Sequence, residues 1–182
     1  MVYRIYVEKK EGLANEAMGL LADIRTLLGI ESLENVRVIN RYDADNIERN
    51  LFDYAVKTVF AEPQLDNTSE DLAGLGVGAD AKVFAVEQLP GQFDQRADSA
   101  SQCIQIISQG EKPLVRFAKV IALYGELSDA DVAAIKKFII NPVETREAEL
   151  ALPDSLEMEY ETPGDVAVMD GFIDMNAEQK AE

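Results

Sequence analysis

The sequence predicts an α+β fold made by tandem duplication of a β-α-β-α unit, with the strands in a sheet that helices cover on one face. Three observations carry that reading. Sliding the 182-residue chain by 79 positions puts Gly12 on Gly91, Val36-Arg37-Val38 on Val115-Arg116-Phe117, Lys57 on Lys136 and Pro63 on Pro142. Apolar positions fall on apolar positions over about sixty residues, with Ile24, Leu27 and Leu28 landing on Cys103, Ile106 and Ile107. Within each copy, period-two alternation gives way to apolar stripes at three–four spacing, and does so twice. The units divide as residues 1–63 and 82–145, with a Gly-rich linker at 64–81 and an acidic extension at 146–182.

In the first unit, Tyr3, Ile5 and Val7 alternate with Arg4 and Tyr6, which predicts a half-buried strand over residues 2–8. Gly12 breaks it. Ala17, Leu20, Leu21, Ile24, Leu27 and Leu28 make one stripe of a helix from about Ala14 to Leu28, and Gly29 is placed to end it in a left-handed cap. Residues 35–42, NVRVINRY, are the second strand. A second helix runs from about Ile47 to Phe60, stopped by Glu62-Pro63. The tract AGLGVGAD follows. Its glycines Gly74, Gly76 and Gly78 fit neither GxGxxG nor a P-loop, so a flexible connection is expected.

The second unit opens with a strand over residues 83–87 and the Leu89-Pro90-Gly91 turn. Asp94 is the expected N-cap of a helix over residues 95–108. Residues 114–124, LVRFAKVIALY, form a long apolar strand, expected to be central. Ser128 with Asp131 forms a capping-box pattern behind Leu127, opening a helix to about Ile140 that Asn141-Pro142 ends. A strand–helix–strand link makes a right-handed parallel crossover the default connection. Arg4, Arg37, Arg116 and Lys119 are expected on the sheet's second face, which would then be partly wet or meet another domain. From residue 146 the chain is acidic and broken by Pro153 and Pro163, with an apolar docking segment expected at residues 167–175. It stops without a closing element, so the natural chain is expected to continue past Glu182.

Composition narrows the function. A formal net charge of −17 disfavours nucleic acid and anionic membrane surfaces as partners. No apolar run is long enough to span a bilayer, and the N-terminus carries no signal-peptide h-region, so a cytoplasmic location is expected. There is no His and one cysteine, Cys103. Cys–His pairs, Ser–His–Asp triads and ordinary zinc sites are thereby excluded. Cys103, lying on the helical stripe, is expected in the core.

The candidate site is the second unit's strand-to-helix turn, 89-LPGQFDQRADS-99. Gln92, Asp94, Gln95, Arg96, Asp98 and Ser99 crowd a helix start, where free N–H groups favour anions. Arg96 has the geometry to hold a carboxylate or phosphate in bidentate fashion. The alternative is a capped helix start with a solvated first turn. Asp94 and Asp98, one helical turn apart, lack the third oxygen ligand that a hard-cation site needs, so no metal site is expected.

The opening VYRIYVEKKEGL, the Asn-Arg-Tyr at 40–42, the run LPGQFDQRADSASQCIQ at 89–105 and KKFIINPVETREA at 136–148, in that order, resemble the amino-terminal portion of large phosphoribosylformylglycinamidine synthase, also called formylglycinamide ribonucleotide amidotransferase. In that family this portion is similar to a tandem of the PurS-type small subunit, which otherwise works as a dimer. The resemblance implies a role in de novo purine biosynthesis, in which formylglycinamide ribonucleotide, ATP and glutamine give formylglycinamidine ribonucleotide. It places ATP and magnesium in a synthetase domain and the glutaminase cysteine in a carboxy-terminal domain, neither of them within these residues. Residues 1–182 would then be non-catalytic. They would bridge the chain's own synthetase and glutaminase domains near the ammonia path, and the 89–99 turn would touch those domains or substrate. The acidic extension would begin the linker to the synthetase domain. Two alternatives stand beside it: a free-standing small-molecule-binding regulatory module, and a homodimer of the isolated segment through an exposed edge strand.

Overall fold

A computed structural model describes residues 1–157; the expected docking segment at 167–175 and the rest of the acidic extension lie outside the described residues. The elements are β1 (Tyr3–Lys9), α1 (Asn15–Leu27), β2 (Leu33–Asp45), α2 (Arg49–Ala55) continued by a π-helical turn (Val56–Phe60), β3 (Asp66–Ser69), β4 (Lys82–Gln88), α3 (Gln95–Ser108), β5 (Leu114–Gly125), α4 (Asp129–Ile139) and β6 (Thr145–Ala148). The strands form one six-stranded sheet in the order β3-β1-β2-β5-β4-β6, every pair antiparallel. The fold is thus α+β, and among the described residues no helix is long and apolar enough to cross a membrane.

The antiparallel β1–β2 pair replaces the expected parallel crossover, and strand length is the reason. Glu8 pairs with Ile39, so residues 33–38 overhang the end of β1. At 13 residues, α1 runs about 20 Å, and six extended residues cover about the same distance. The helix therefore carries the chain onward, past the end of β1, and the overhang of β2 brings it back. Gly29, at φ +69, makes the reversal after α1.

The two halves of the sheet correspond element by element. Adding 79 to each number converts Tyr3–Lys9 into Lys82–Gln88 and Asp66–Ser69 into Thr145–Ala148. It also converts Asn40 into Lys119, and these two face each other across the central β2–β5 ladder. The first helices keep a different offset. Ala17 and Ile24 are the buried residues of α1, and adding 80 gives Ala97 and Ile104, both buried on α3. The turn ahead of α3 is one residue longer. Ile24 therefore matches Ile104, and Cys103, expected in the core, is exposed.

The helices lie on one face and interlock the halves. Ile24 of α1 packs with Phe84, Ile121, Leu123 and Ile135 of the second half. Ala100 and Ile104 of α3 pack with Ile5, Val7, Tyr42, Phe52 and Phe60 of the first. Each half's first helix lies on its own half's long strand and sends buried side chains into a cluster with the other half, so the cores are shared.

Among the described residues the sheet's second face carries no helix. Residues 64–81, expected as a flexible linker, contribute β3 and then a strap whose Leu72, Leu75 and Val77 pack on Val83, Val120, Ala122 and Tyr124. The corresponding strap after β6 ends at Leu156, which is buried. Arg37 holds the first strap by donating to Leu75 O (2.8 Å) and Gly76 O (3.3 Å). Arg116 holds the second by donating to Leu156 O (2.8 Å). Arg4, Arg37 and Arg116 thus occupy this face as expected. Lys119 does not: its place in the alternation of β5 turns it to the helical side, where it pairs with Glu16. Both short edge strands escaped prediction, because DNTS and TREA show neither alternation nor β-branched enrichment.

Candidate functional site

The 89–99 turn begins where β4 leaves the sheet. Gly91 adopts φ +86, and Gln92 N donates to Leu89 O at 2.9 Å, closing the turn. Asp94 then caps α3 as expected, its Oδ1 accepting from Arg96 N (2.9 Å) and Ala97 N (3.0 Å). That carboxylate occupies the N–H groups to which an external anion would bind. Asp98 turns aside, accepting from Gln102 Nε2 (2.6 Å) and Lys112 Nζ (2.7 Å). No cation-binding group of acidic residues forms there or elsewhere among the described residues.

The six predicted residues do not converge on one cavity. Gln92 and Asp94 line a cleft of about 170 Å3 with Arg116 and Arg146. Arg96 points elsewhere, its guanidinium lying 5.3 Å from the centre of the Phe117 ring. It lines a cleft of about 480 Å3 with Asn40, Tyr42 and Phe60, and makes no ion pair among the described residues. Gln95 and Ser99 are exposed and line neither. Phe93, at the tip, is 71% exposed.

The Arg96 cleft has a counterpart of about 540 Å3 in the second half. Val7, Val38, Asn40, Tyr42, Val59, Phe60 and Asp66 of the first become Val86, Phe117, Lys119, Ile121, Phe138, Ile139 and Thr145 when 79 is added. The repeat therefore presents two equivalent clefts on the helical side. The floors differ at Asn40, whose buried Oδ1 has no hydrogen-bond partner among the described residues, and Lys119, which pairs with Glu16.

A third feature sits on the opposite face. Arg4, Arg41, Arg116 and Arg146 line a cavity of about 300 Å3 closed by the second strap. Arg4 grips Asp43 in bidentate fashion (2.5 and 2.8 Å) and donates to Leu150 O (2.6 Å) and Ala151 O (3.2 Å). Burial opposes the Arg4 charge, but Asp43 outweighs it and raises the guanidinium above its ordinary range. For Arg41 burial prevails, lowering its pKa, with Asp43 offsetting only part. Arg41 donates to Glu149 O (2.7 Å) and stands 3.4 Å from Asp43, yet its Nε has no hydrogen bond among the described residues. Asp45 ties the strap down: Leu156 N (3.1 Å), Ser155 Oγ (3.2 Å) and the Met1 ammonium (3.0 Å) all donate to it. Burial would raise the Asp45 pKa, but the Leu156 and Asn46 N–H groups and the Met1 ammonium hold it at about 2.

Sequence reasoning did not find this cavity. The arginines lie on four different strands and converge only through sheet register. The one signal was that Arg4 and Arg41 stand where the repeat has Val83 and Val120. Compared with family models, with curated proteins and with solved structures, the chain gave no match.

Proposed function

We propose that residues 1–182 are the amino-terminal, PurS-like assembly portion of a phosphoribosylformylglycinamidine synthase. The chain holds that enzyme's synthetase and glutaminase domains in register near the ammonia path. One observation carries the reading beyond the sequence resemblance. The two halves correspond strand for strand and share their cores through their first helices, which is the arrangement expected if an interlocked dimer of small subunits had been fused by duplication. The 89–99 turn suits a domain contact. Phe93 projects into solvent, and Arg96 offers a stacked guanidinium with no carboxylate of its own among the described residues. ATP, magnesium and the glutaminase nucleophile belong, on this reading, to the other domains.

The test is complementation. Residues 1–182 are added to a truncated enzyme that retains the synthetase and glutaminase domains, and glutamine-dependent product formation is followed. Restored activity that Arg96→Ala abolishes supports the assembly role. Full activity of the truncated enzyme without the added chain sinks it. The paired clefts of about 540 and 480 Å3 favour a second reading, a free-standing regulatory module that binds a small molecule between its halves. That reading gains if the truncated enzyme needs no partner and the isolated chain binds a metabolite.

A further inference from the structure

The cavity beneath the second strap has an internal control, because the repeat builds the same place twice. Under the first strap the sheet presents Val83, Val120 and Ala122, packed against Leu72, Leu75 and Val77. Under the second strap the equivalent positions are Arg4, Arg41 and Asp43, all buried. The first strap is thus closed with apolar side chains at these three positions, Arg37 pinning it from beside them. Burying an arginine is costly unless its charge and donors are met, so charges at one of two equivalent places call for a reason other than folding.

Four arginines, Arg4, Arg41, Arg116 and Arg146, line this cavity with four carboxylates, Asp43, Glu87, Glu147 and Glu149, but the carboxylates are not shared evenly among them. Asp43 is gripped by Arg4 and shared at 3.4 Å with Arg41, and Glu87 pairs with Arg146 (2.7 Å). Glu147 pairs outside the set with Lys136 (2.7 Å). Glu149 is exposed and makes no ion pair among the described residues, so it offsets at most one charge. Arg116 differs from its twin in the same sense. Arg37 has a bidentate carboxylate in Glu8 (2.7 and 2.5 Å), whereas Arg116, among the described residues, donates to the Leu156 carbonyl alone. Arg41, 4% exposed, keeps an Nε without a hydrogen bond among the described residues.

We propose that this cavity is an oxyanion site, in which Arg41 and Arg116, with Arg146 at the rim, take a phosphate or carboxylate group. The guanidinium fork matches both groups in geometry and charge, and about 300 Å3 leaves room for part of the molecule that bears it. The oxyanion has two possible sources: a small phosphate-bearing molecule, or a carboxylate of the chain's own Glu157, Glu159 and Glu161, which follow the strap directly. The site does not depend on the assembly role.

The probe is inorganic phosphate, titrated by calorimetry into the full 182-residue chain at constant ionic strength, which keeps screening of the −17 net charge fixed. Saturable binding with a Kd of roughly 1 mM or tighter is expected. Arg116→Gln should weaken it about tenfold or more, while Lys112→Gln, on the far side of the sheet, should leave it unchanged. Arg146→Gln, at an exposed edge, serves as the second variant if Arg116→Gln perturbs folding by circular dichroism. If phosphate binds only after Glu157, Glu159 and Glu161 are changed to Gln, the site stands and its resident oxyanion is the chain's own. Absence of phosphate binding in both the wild-type and the triple-Gln chains overturns the proposal. So does binding that neither arginine substitution weakens.

Discussion

Ile24→Ala tests whether the halves share their cores. Ile24 is fully buried, and most of its cluster belongs to the other half: Phe84 on β4, Ile121 and Leu123 on β5, Ile135 on α4. The substitution removes three carbon atoms. At about 0.8 kcal/mol for each buried carbon the transfer loss is about 2.4 kcal/mol, and the cavity left behind raises the total to about 3–4 kcal/mol. Domain stabilities of about 5–15 kcal/mol make that a large fraction of the whole. The loss should reach both halves, because α1 is anchored by its own strand β2 while resting on β4, β5 and α4. The assay is native-state hydrogen exchange read separately on β1 and β4, together with urea unfolding followed by circular dichroism. Amides of both strands should lose protection by the same amount, in a single transition shifted by about 3–4 kcal/mol. Wild-type protection in β4 alongside weakened β1, or two separate transitions, would refute the interlocked core.

Two further predictions concern the strap and the bulge. The Asp45 carboxyl is held at about 2 against an ordinary 3.8. Its stabilisation is therefore complete above about pH 4 and is lost as pH falls through 2. Asp45→Asn should cost about 2 kcal/mol at neutral pH, and the gap to wild type should close between about pH 4 and 2; a pH-independent gap in urea midpoints would contradict this account. Gly125 sits at φ +128 opposite Leu33, where the β2–β5 register shifts, and a Cβ there would collide with Ser32 O. Gly125→Ala should lower stability by about 1–3 kcal/mol, measured as a fall in thermal midpoint, whereas Gly12→Ala, strained in φ but in open space, should cost less.

Helices, central strands and caps were legible because each is written locally. The Asp94 cap and the Ser128–Asp131 box are read within four residues, and α3 begins and ends where its pattern says. Strand direction was not legible, since it depends on how far β2 outruns β1. The sixty-residue match hid the extra residue before α3, because a one-position slip still lays apolar on apolar for most of a helix, and it misplaced Cys103. The 89–99 turn was found as a dense polar stretch, but density did not distinguish Asp94, spent on the cap, and Asp98, spent on Lys112, from Arg96, which keeps its charge unpaired by any carboxylate among the described residues.

The correspondence between the two halves supplies a way of separating folding from function. Positions alike in both halves answer to the fold: Ala17 with Ala97 and Ile24 with Ile104, buried on the first helices. Positions that differ are released from that common requirement. Three differences stand out: Arg96 with Phe93 on the longer turn, Asn40 against Lys119 on the cleft floors, and the buried Arg4, Arg41 and Asp43 against Val83, Val120 and Ala122. The last is the costliest to maintain, since charged groups replace apolar ones in a place that the other half fills with aliphatic side chains. Changing Arg4, Arg41 and Asp43 together to Val, Val and Ala copies the twin's own solution. It should leave stability unchanged or raise it by about 1–4 kcal/mol, while phosphate binding is lost. A triple variant that unfolds would mean that the charges hold the second strap in a way the apolar twin does not need, and the comparison between halves would lose its force.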